Sequence, residues 1–163
     1  MSEEEKILLE SFSQKLPANT KVVVGMTGGI DSTAVAFLLK QQGYQVTGVG
    51  ISFLEENYRE LDGFGSSCSV DKFTEVKKIC DHINIPFFAV NAQKEFTDQI
   101  LDPMVASQLQ GTHFNPCMYC NVLKIRILKE KALKLEAEYV VTAHYAKIRQ
   151  DYVKKLFYVK KKS

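Results

Sequence analysis

The stretch that most constrains this chain is Gly25-Met26-Thr27-Gly28-Gly29-Ile30-Asp31-Ser32-Thr33. Ahead of it, Lys21-Val22-Val23-Val24 is a β-branched run of the kind that forms a buried strand. Behind it, Thr33 to Gln42 carries Ala34, Val35, Phe37, Leu38 and Leu39, which suits a helix. The stretch is therefore expected to be a strand-to-helix turn. Two adjacent glycines let the backbone come close to a ligand and take positive φ. Asp31, Ser32 and Thr33 fall where the helix starts, so unpaired N–H groups and the positive end of the helix dipole face one spot. Those are the requirements of a phosphate site. An ordinary capped turn needs neither paired glycines nor hydroxyls on both sides of them.

The remaining pattern agrees with that start. Residues 3–16 read as an amphipathic helix with Ile7, Leu8, Phe12 and Leu16 on one side, ended by Pro17-Ala18-Asn19. Gly43 stops the helix after the turn, and Gln45 to Ile51 is a second strand, parallel to the first because a helix crosses between them. Residues 52–69 form a long polar loop. A helix over Val70–Ile83 and a strand over Pro86–Val90 follow. A second helical stretch, Gln93–Gln108, is kinked or broken at Pro103. Asn115-Pro116 opens a long helix to about Glu136, with Asn as cap and Pro at the first helical position. Tyr139–Ala143 is a fourth strand, and Tyr145–Arg149 with Leu156–Lys160 are two strands around a turn. Strands alternating with helices predict an α/β fold with a doubly wound parallel sheet. Ligands then sit outside the carboxyl ends of the strands, where the turn, the polar loop and Ala143-His144 all fall.

Charge and cysteine content narrow the setting. The N-terminus is acidic (Glu3, Glu4, Glu5) and no apolar run reaches membrane-spanning length, so neither a signal peptide nor a membrane partner is expected. The net charge of +2 hides an asymmetry. Residues 147–163 hold seven Lys or Arg and one Asp, while the rest of the chain is net acidic. Such a tail suits a nucleic-acid face or a solubilising terminus, and charge alone does not choose. Four cysteines, two of them in Cys117-Met118-Tyr119-Cys120, point to a reducing, cytoplasmic setting. Cys117 and Cys120 fall near the start of the long helix, where the dipole and Lys124 favour a thiolate. Three readings stand: a nucleophilic or persulfide-bearing thiol, a pair of zinc or iron–sulfur ligands, or two ordinary thiols. Cys80 is expected in the core, Cys68 in a loop or helix cap and as a possible third sulfur ligand. His82 is expected at the surface, and His144 as a structural residue beside the nucleotide.

Gly28-Gly29-Ile30-Asp31-Ser32-Thr33 after a strand resembles the pyrophosphatase loop (PP-loop) of the ATP pyrophosphatases, with Thr27 where that family usually has Ser. The Gly-Lys-Ser/Thr of a P-loop and the G-x-G-x-x-G of a dinucleotide fold are absent. A narrower resemblance rests on several segments in order. Gly111-x-x-x-Asn115-Pro116-Cys117-x-x-Cys120-Asn121, followed by Lys124-Ile125, is similar to the G-x-T-P-N-P-[DC]-x-x-C-N-x-x-[IL]-K segment of the tRNA-specific 2-thiouridylases. Val141-Thr142-Ala143-His144-Tyr145-Ala146-Lys147 is similar to that family's A-T-G-H-Y-A-R, and Cys68-Ser69-x-Asp71 and Ile85-Pro86 also match. His113-Phe114 replace Thr-Pro, Ala143 replaces Gly, and Cys117 stands where many members have Asp.

That resemblance implies a tRNA-uridine 2-sulfurtransferase. ATP adenylates the carbonyl oxygen at carbon 2 of the wobble uridine, and a persulfide sulfur displaces AMP. By matching position, Gly25, Met26, Thr27, Gly28, Gly29, Ile30, Asp31 and Ser32 would bind ATP, with Ile51 and Ala143 along adenine and ribose. Asn115, Pro116 and Cys117 would face the target base, and Cys120 would be the nucleophile, with Cys117 the second thiol of the pair. Magnesium would accompany ATP, and an iron–sulfur cluster on Cys117 and Cys120 is conceivable in the Cys form. The partners implied are tRNA and a sulfur-relay protein or persulfide donor. The resemblance runs from about Lys21 to Ile148, and the family's Lys-Asp-Gln segment, second catalytic cysteine and two later domains are expected beyond Ser163. Residues 1–163 are thus expected to be one adenylation domain, with 145–163 the start of a connection to further domains. Two other functions fit the turn alone: another PP-loop AMP-forming ligase or sulfurtransferase, and a non-catalytic nucleotide-binding subunit.

Overall fold

A computed structural model describes residues 16–54, 72–144, 146–151 and 156–161, the last two segments as backbone. Residues 3–15 of the helix expected over 3–16, residues 55–69 of the polar loop expected over 52–69, and Cys68 lie outside the described residues, while Ser52 belongs to the second strand. The first strand, β1 (Lys21–Gly25), is buried through its three valines, with flanking residues partly exposed. Helix α1 (Ile30–Gln41) leads to β2 (Gln45–Ser52). Helix α2 (Lys72–His82) leads to β3 (Phe87–Asn91). A short helix α3 (Gln93–Phe96), a π-helical turn (Thr97–Leu101) and α4 (Asp102–Leu109) follow end to end. The long helix α5 (Pro116–Lys134) precedes β4 (Tyr139–Val141).

The four strands form one parallel sheet in the order β3-β2-β1-β4. Val23 pairs with Thr47 on one side and Val140 on the other, so β1 is the middle of the ladder around which the order reverses. Strand alternation assigns the two faces. Val22, Val24 and Met26 pack with Ala36 of α1, Val76 and Cys80 of α2, and Ile85. Val23 and Val49 point the other way, onto Leu128 and Ala132 of α5. A third cluster, Phe53, Leu54, Phe96, Ile100, Leu123 and Ile127, joins the end of β2 to α3, the π turn and α5. Helices on both faces of a parallel sheet make the fold doubly wound, as the alternation predicted. A separate antiparallel pair, β5 (Ala146–Asp151) and β6 (Leu156–Lys161), follows β4.

Apart from shifts of one or two residues, as where β4 ends at Val141 rather than Ala143, two boundaries differ from expectation. Helix α1 begins at Ile30 rather than Thr33, because Gly29 takes the extended cap conformation (φ −79, ψ 162) and the chain turns helical directly after it. The 93–108 helix is broken ahead of Pro103, through the π turn. Pro103 has no N–H to donate one turn back, and the residues before it carry wider i→i+5 bonds instead. Cys80 is fully buried, as expected, and burial pushes its thiol up to about 11. His82 is exposed, also as expected.

Candidate active site

A cleft of about 340 Å³ opens beyond the carboxyl ends of β1, β2 and β4, at the point where the strand order reverses. Its first wall is the turn after β1: Gly25, Met26, Thr27, Gly29, Asp31 and Ser32. Its second comes from the β2 end, through Val49, Ile51 and Phe53, and its third from Thr142, Ala143 and His144 after β4. The fourth is α5, through Asn121, Lys124, Ile125 and Leu128.

The turn is held by its own hydroxyls. Ser32 is buried (2% exposed) and its Oγ donates to the Gly29 carbonyl at 3.1 Å while accepting from the Thr27 N–H at 3.3 Å. The Thr27 and Ser32 hydroxyls lie 3.3 Å apart, and the Gly29 N–H donates to Thr27 Oγ1 at 3.4 Å. Thr33 Oγ1 also donates to the Gly29 carbonyl, at 3.0 Å. Gly28 sits at φ 77, in the left-handed region that a side chain resists, and a Cβ there would meet Val76 Cγ2 at 3.1 Å. At Gly25 a Cβ would stand 3.0 Å from Leu128 Cδ1, so the missing side chain lets α5 lie against the floor of the cleft. These contacts bend the chain so that the start of α1, whose first N–H groups have no partner within the helix, borders the cleft through Gly29, Asp31 and Ser32. Asp31 and Thr27 are exposed at its rim.

Cys117 and Cys120 occupy the start of α5. Asn115 caps it, its Oδ1 accepting from the Met118 N–H at 3.4 Å, and Pro116 takes the first helical position. The Phe114 ring stacks on Tyr119 (4.6 Å between centroids, 6° between planes), tying the preceding loop to the helix. Cys117 is exposed, whereas Cys120 is half-buried and packs against the Phe53–Phe96–Ile100 cluster. Among the described residues, no group of three His, Cys, Asp or Glu side chains is placed to hold a metal.

Of the residues expected to bind nucleotide, the cleft brings together Gly25, Met26, Thr27, Gly29, Asp31, Ser32, Ile51 and Ala143. Gly28 shapes the turn from behind, and Ile30 is 87% exposed away from the lining. Asn115, Pro116, Cys117 and Cys120 do not line the cleft. Asn121, directly after Cys120, does. Sequence reading missed the α5 wall as a unit, although its spacing is legible: 121, 124, 125 and 128 form an i, i+3, i+4, i+7 stripe. Cys117 lies four residues before Asn121 and extends that stripe by one turn toward the surface. His144 was expected near the nucleotide. It lines the cleft, with its Nδ1 2.7 Å from Thr142 Oγ1.

Residues 20–162 match the model of the family described as tRNA methyl transferase HUP domain. The tRNA-specific 2-thiouridylase MnmA of Alkaliphilus oremlandii is 39% identical over 135 residues, 82% of this chain and 36% of that protein. The protein of the same name from Lactococcus lactis subsp. cremoris is 39% identical over 141 residues, 86% of this chain and 36% of its own. That of Clostridium botulinum strain Alaska E43 is 37% identical over 131 residues, 80% of this chain and 36% of its own. The chain thus matches about a third of the length of these curated relatives. Among solved structures, NMN synthetase from Francisella tularensis aligns over 85% of this chain and 53% of its own at 18% identity. Its TM-score is 0.48. With the family model covering nearly the whole sequence, this chain belongs to the tRNA methyl transferase HUP-domain family.

Proposed function

We propose that this chain is the ATP-binding, adenylating part of a tRNA-uridine 2-sulfurtransferase. The observation that carries the reading is the cleft itself. It joins a hydroxyl-braced, phosphate-type turn to the helix that bears the cysteine pair, with Asn121 in the lining and Cys120 beside it. ATP occupies the cleft, its phosphates toward the N–H groups at the start of α1 and its adenosine toward Ile51 and Ala143. Asp31, with the phosphates, suits a magnesium ion, which is held elsewhere by one or two carboxylates plus substrate oxygens. That ion would neutralise the triphosphate charge.

The chemistry follows from what each wall offers. A uridine carbonyl oxygen is a poor leaving group, and its transfer to the α-phosphate, with release of pyrophosphate, makes it part of AMP. A persulfide sulfur then attacks carbon 2, the carbon–oxygen bond breaks, and AMP leaves. The C–S–S linkage so formed is opened by a second thiol, which yields the 2-thiocarbonyl and a disulfide for an external thiol to reduce. Cys120 is the nucleophile and Cys117 the thiol one turn away, with Asn115, Pro116 and Cys117 on the side of the target base. Among the described residues no third His, Cys, Asp or Glu joins Cys117 and Cys120, and the thiol role is the one proposed. The partners are tRNA and a persulfide donor, in a reducing cytoplasm. Among the described residues no helix is long and apolar enough to cross a membrane. Residues 145–163 form the connection toward further domains.

The experiment is to supply ATP, magnesium, a persulfide donor and unmodified tRNA and to look for 2-thiouridine by mass spectrometry, with and without the remaining domains of a relative. tRNA-dependent release of pyrophosphate is expected from this chain, and thiolation when the remaining domains are added. ATP turnover indifferent to tRNA would remove the reading.

A further inference from the structure

The cleft holds one fixed positive charge. Among the described side chains that line it, Lys124 is the only Lys or Arg. It is half-buried, and its Nζ stands 5.8 Å from the centre of the Phe53 ring. Among the described residues it enters no ion pair, unlike its neighbour Arg126, which donates to Gln99 Oε1 at 3.0 Å and lies 4.0 Å from Glu130. Removing an ammonium from water without an anion is unfavourable, and an aromatic face offsets only part of that. The same cleft presents the helix-start N–H groups of α1, which also favour an anion. Two elements far apart in the chain thus present positive character to one space, with Asp31 at the rim the one carboxylate in the described lining.

We infer that Lys124 is a phosphate-binding residue that contacts the nucleotide from α5, while the N–H groups at the start of α1 hold it from the turn. The inference rests on the nucleotide reading of the cleft and adds a second, side-chain clamp to it. A lysine suits this place because it acts as a mobile point charge and needs no fixed bidentate geometry. Lys124 lies one turn beyond Cys120 on the same helix, so its contact also fixes where the thiol stands relative to the phosphates.

Calorimetric titration of ATP with magnesium into the wild-type chain, Lys124→Gln, Lys124→Met, Lys124→Arg and Lys134→Gln tests this. Lys134 lies exposed in the last turn of α5, outside the lining. The uncharged variants should weaken ATP about ten- to a hundredfold, the loss of one charged hydrogen bond. Lys124→Arg should recover most of the affinity, and Lys134→Gln should match wild type. Lys124→Met keeps an unbranched chain against Phe53 and replaces Lys124→Gln should that variant not fold. Wild-type affinity in both uncharged variants would overturn the inference and leave the nucleotide reading standing. An arginine variant as weak as the uncharged ones, with lowered melting temperature, would make Lys124 structural. A wild-type chain that binds no ATP would overturn both.

Discussion

The turn after β1 and the start of α5 bound the same active region, yet they are built in opposite ways. In the turn, one buried hydroxyl and one carbonyl gather most of the contacts: Ser32 Oγ meets Thr27 and Gly29, and the Gly29 carbonyl meets Ser32 and Thr33. At the start of α5, a single 3.4 Å cap bond and one ring stack hold the backbone, and Cys117 stands exposed. The first region has its geometry before any ligand arrives, which is what a small polyanion needs. The second offers Cys117 outward, where a macromolecule can reach it, with Cys120 half-buried behind it. On the proposed function, the difference separates binding from chemistry, and four experiments test how far.

The largest effect is expected from Cys120→Ser. In the assay with added domains, 2-thiouridine formation should fall by roughly a thousandfold or more, as for loss of a nucleophile, while ATP affinity stays within about twofold. Equal loss of both would merge the two regions into one; undiminished thiolation would remove Cys120 as the nucleophile.

Cys80 supplies an internal reference for exposure. Its thiol is held up at about 11 against an ordinary 9.0. That shift alone lowers its thiolate fraction near neutral pH about a hundredfold. Alkylation followed by peptide mapping should therefore label Cys117 first and leave Cys80 untouched until the chain unfolds. The sign for stability follows. The unfolded chain loses this proton near 9.0 and the folded one near 11, so folding is favoured less as pH rises between them. Urea unfolding across that range should show the decline, and Cys80→Ala should lack it.

Ser32→Ala removes the centre of the turn's network. ATP affinity should drop about tenfold and folding stability by about 1–2 kcal/mol, read by calorimetry and urea unfolding. Unchanged affinity would mean that the turn is not preformed by these bonds. Asn115→Ala should give the smallest change. Loss of the cap costs at most about 1 kcal/mol, seen as a small fall in melting temperature, with ATP affinity untouched. A loss of ATP binding in that variant would join the two regions after all.

The same contrast explains what could be read in the sequence. The turn was legible because glycines and hydroxyls at fixed offsets carry their conformational demands locally. The parallel sheet was legible because Val22-Val23-Val24 is buried on both faces and helices intervene between strands. The α5 wall was hidden because that helix is apolar on more than one side. Leu123, Ile127 and Cys120 face one cluster, Leu128 and Ala132 another, so the stripe with Asn121 and Lys124 does not stand out as polar against apolar. The start of α1 was misjudged by three residues because Ile30, 87% exposed, does not advertise a helix by burial. The π turn was invisible because Pro103 announces a break without saying how the preceding bonds rearrange.

That π turn has an arithmetic consequence. It holds one more residue than an α-helical turn would need, sandwiched between α3 and α4. Deleting a single residue within 97–101 would remove that surplus but set Pro103 inside a continuous α-helix, where its ring meets the carbonyl four residues back. The surplus residue and the proline thus go together: a widened step between the sheet and the long helix, whose removal calls for replacing Pro103 as well.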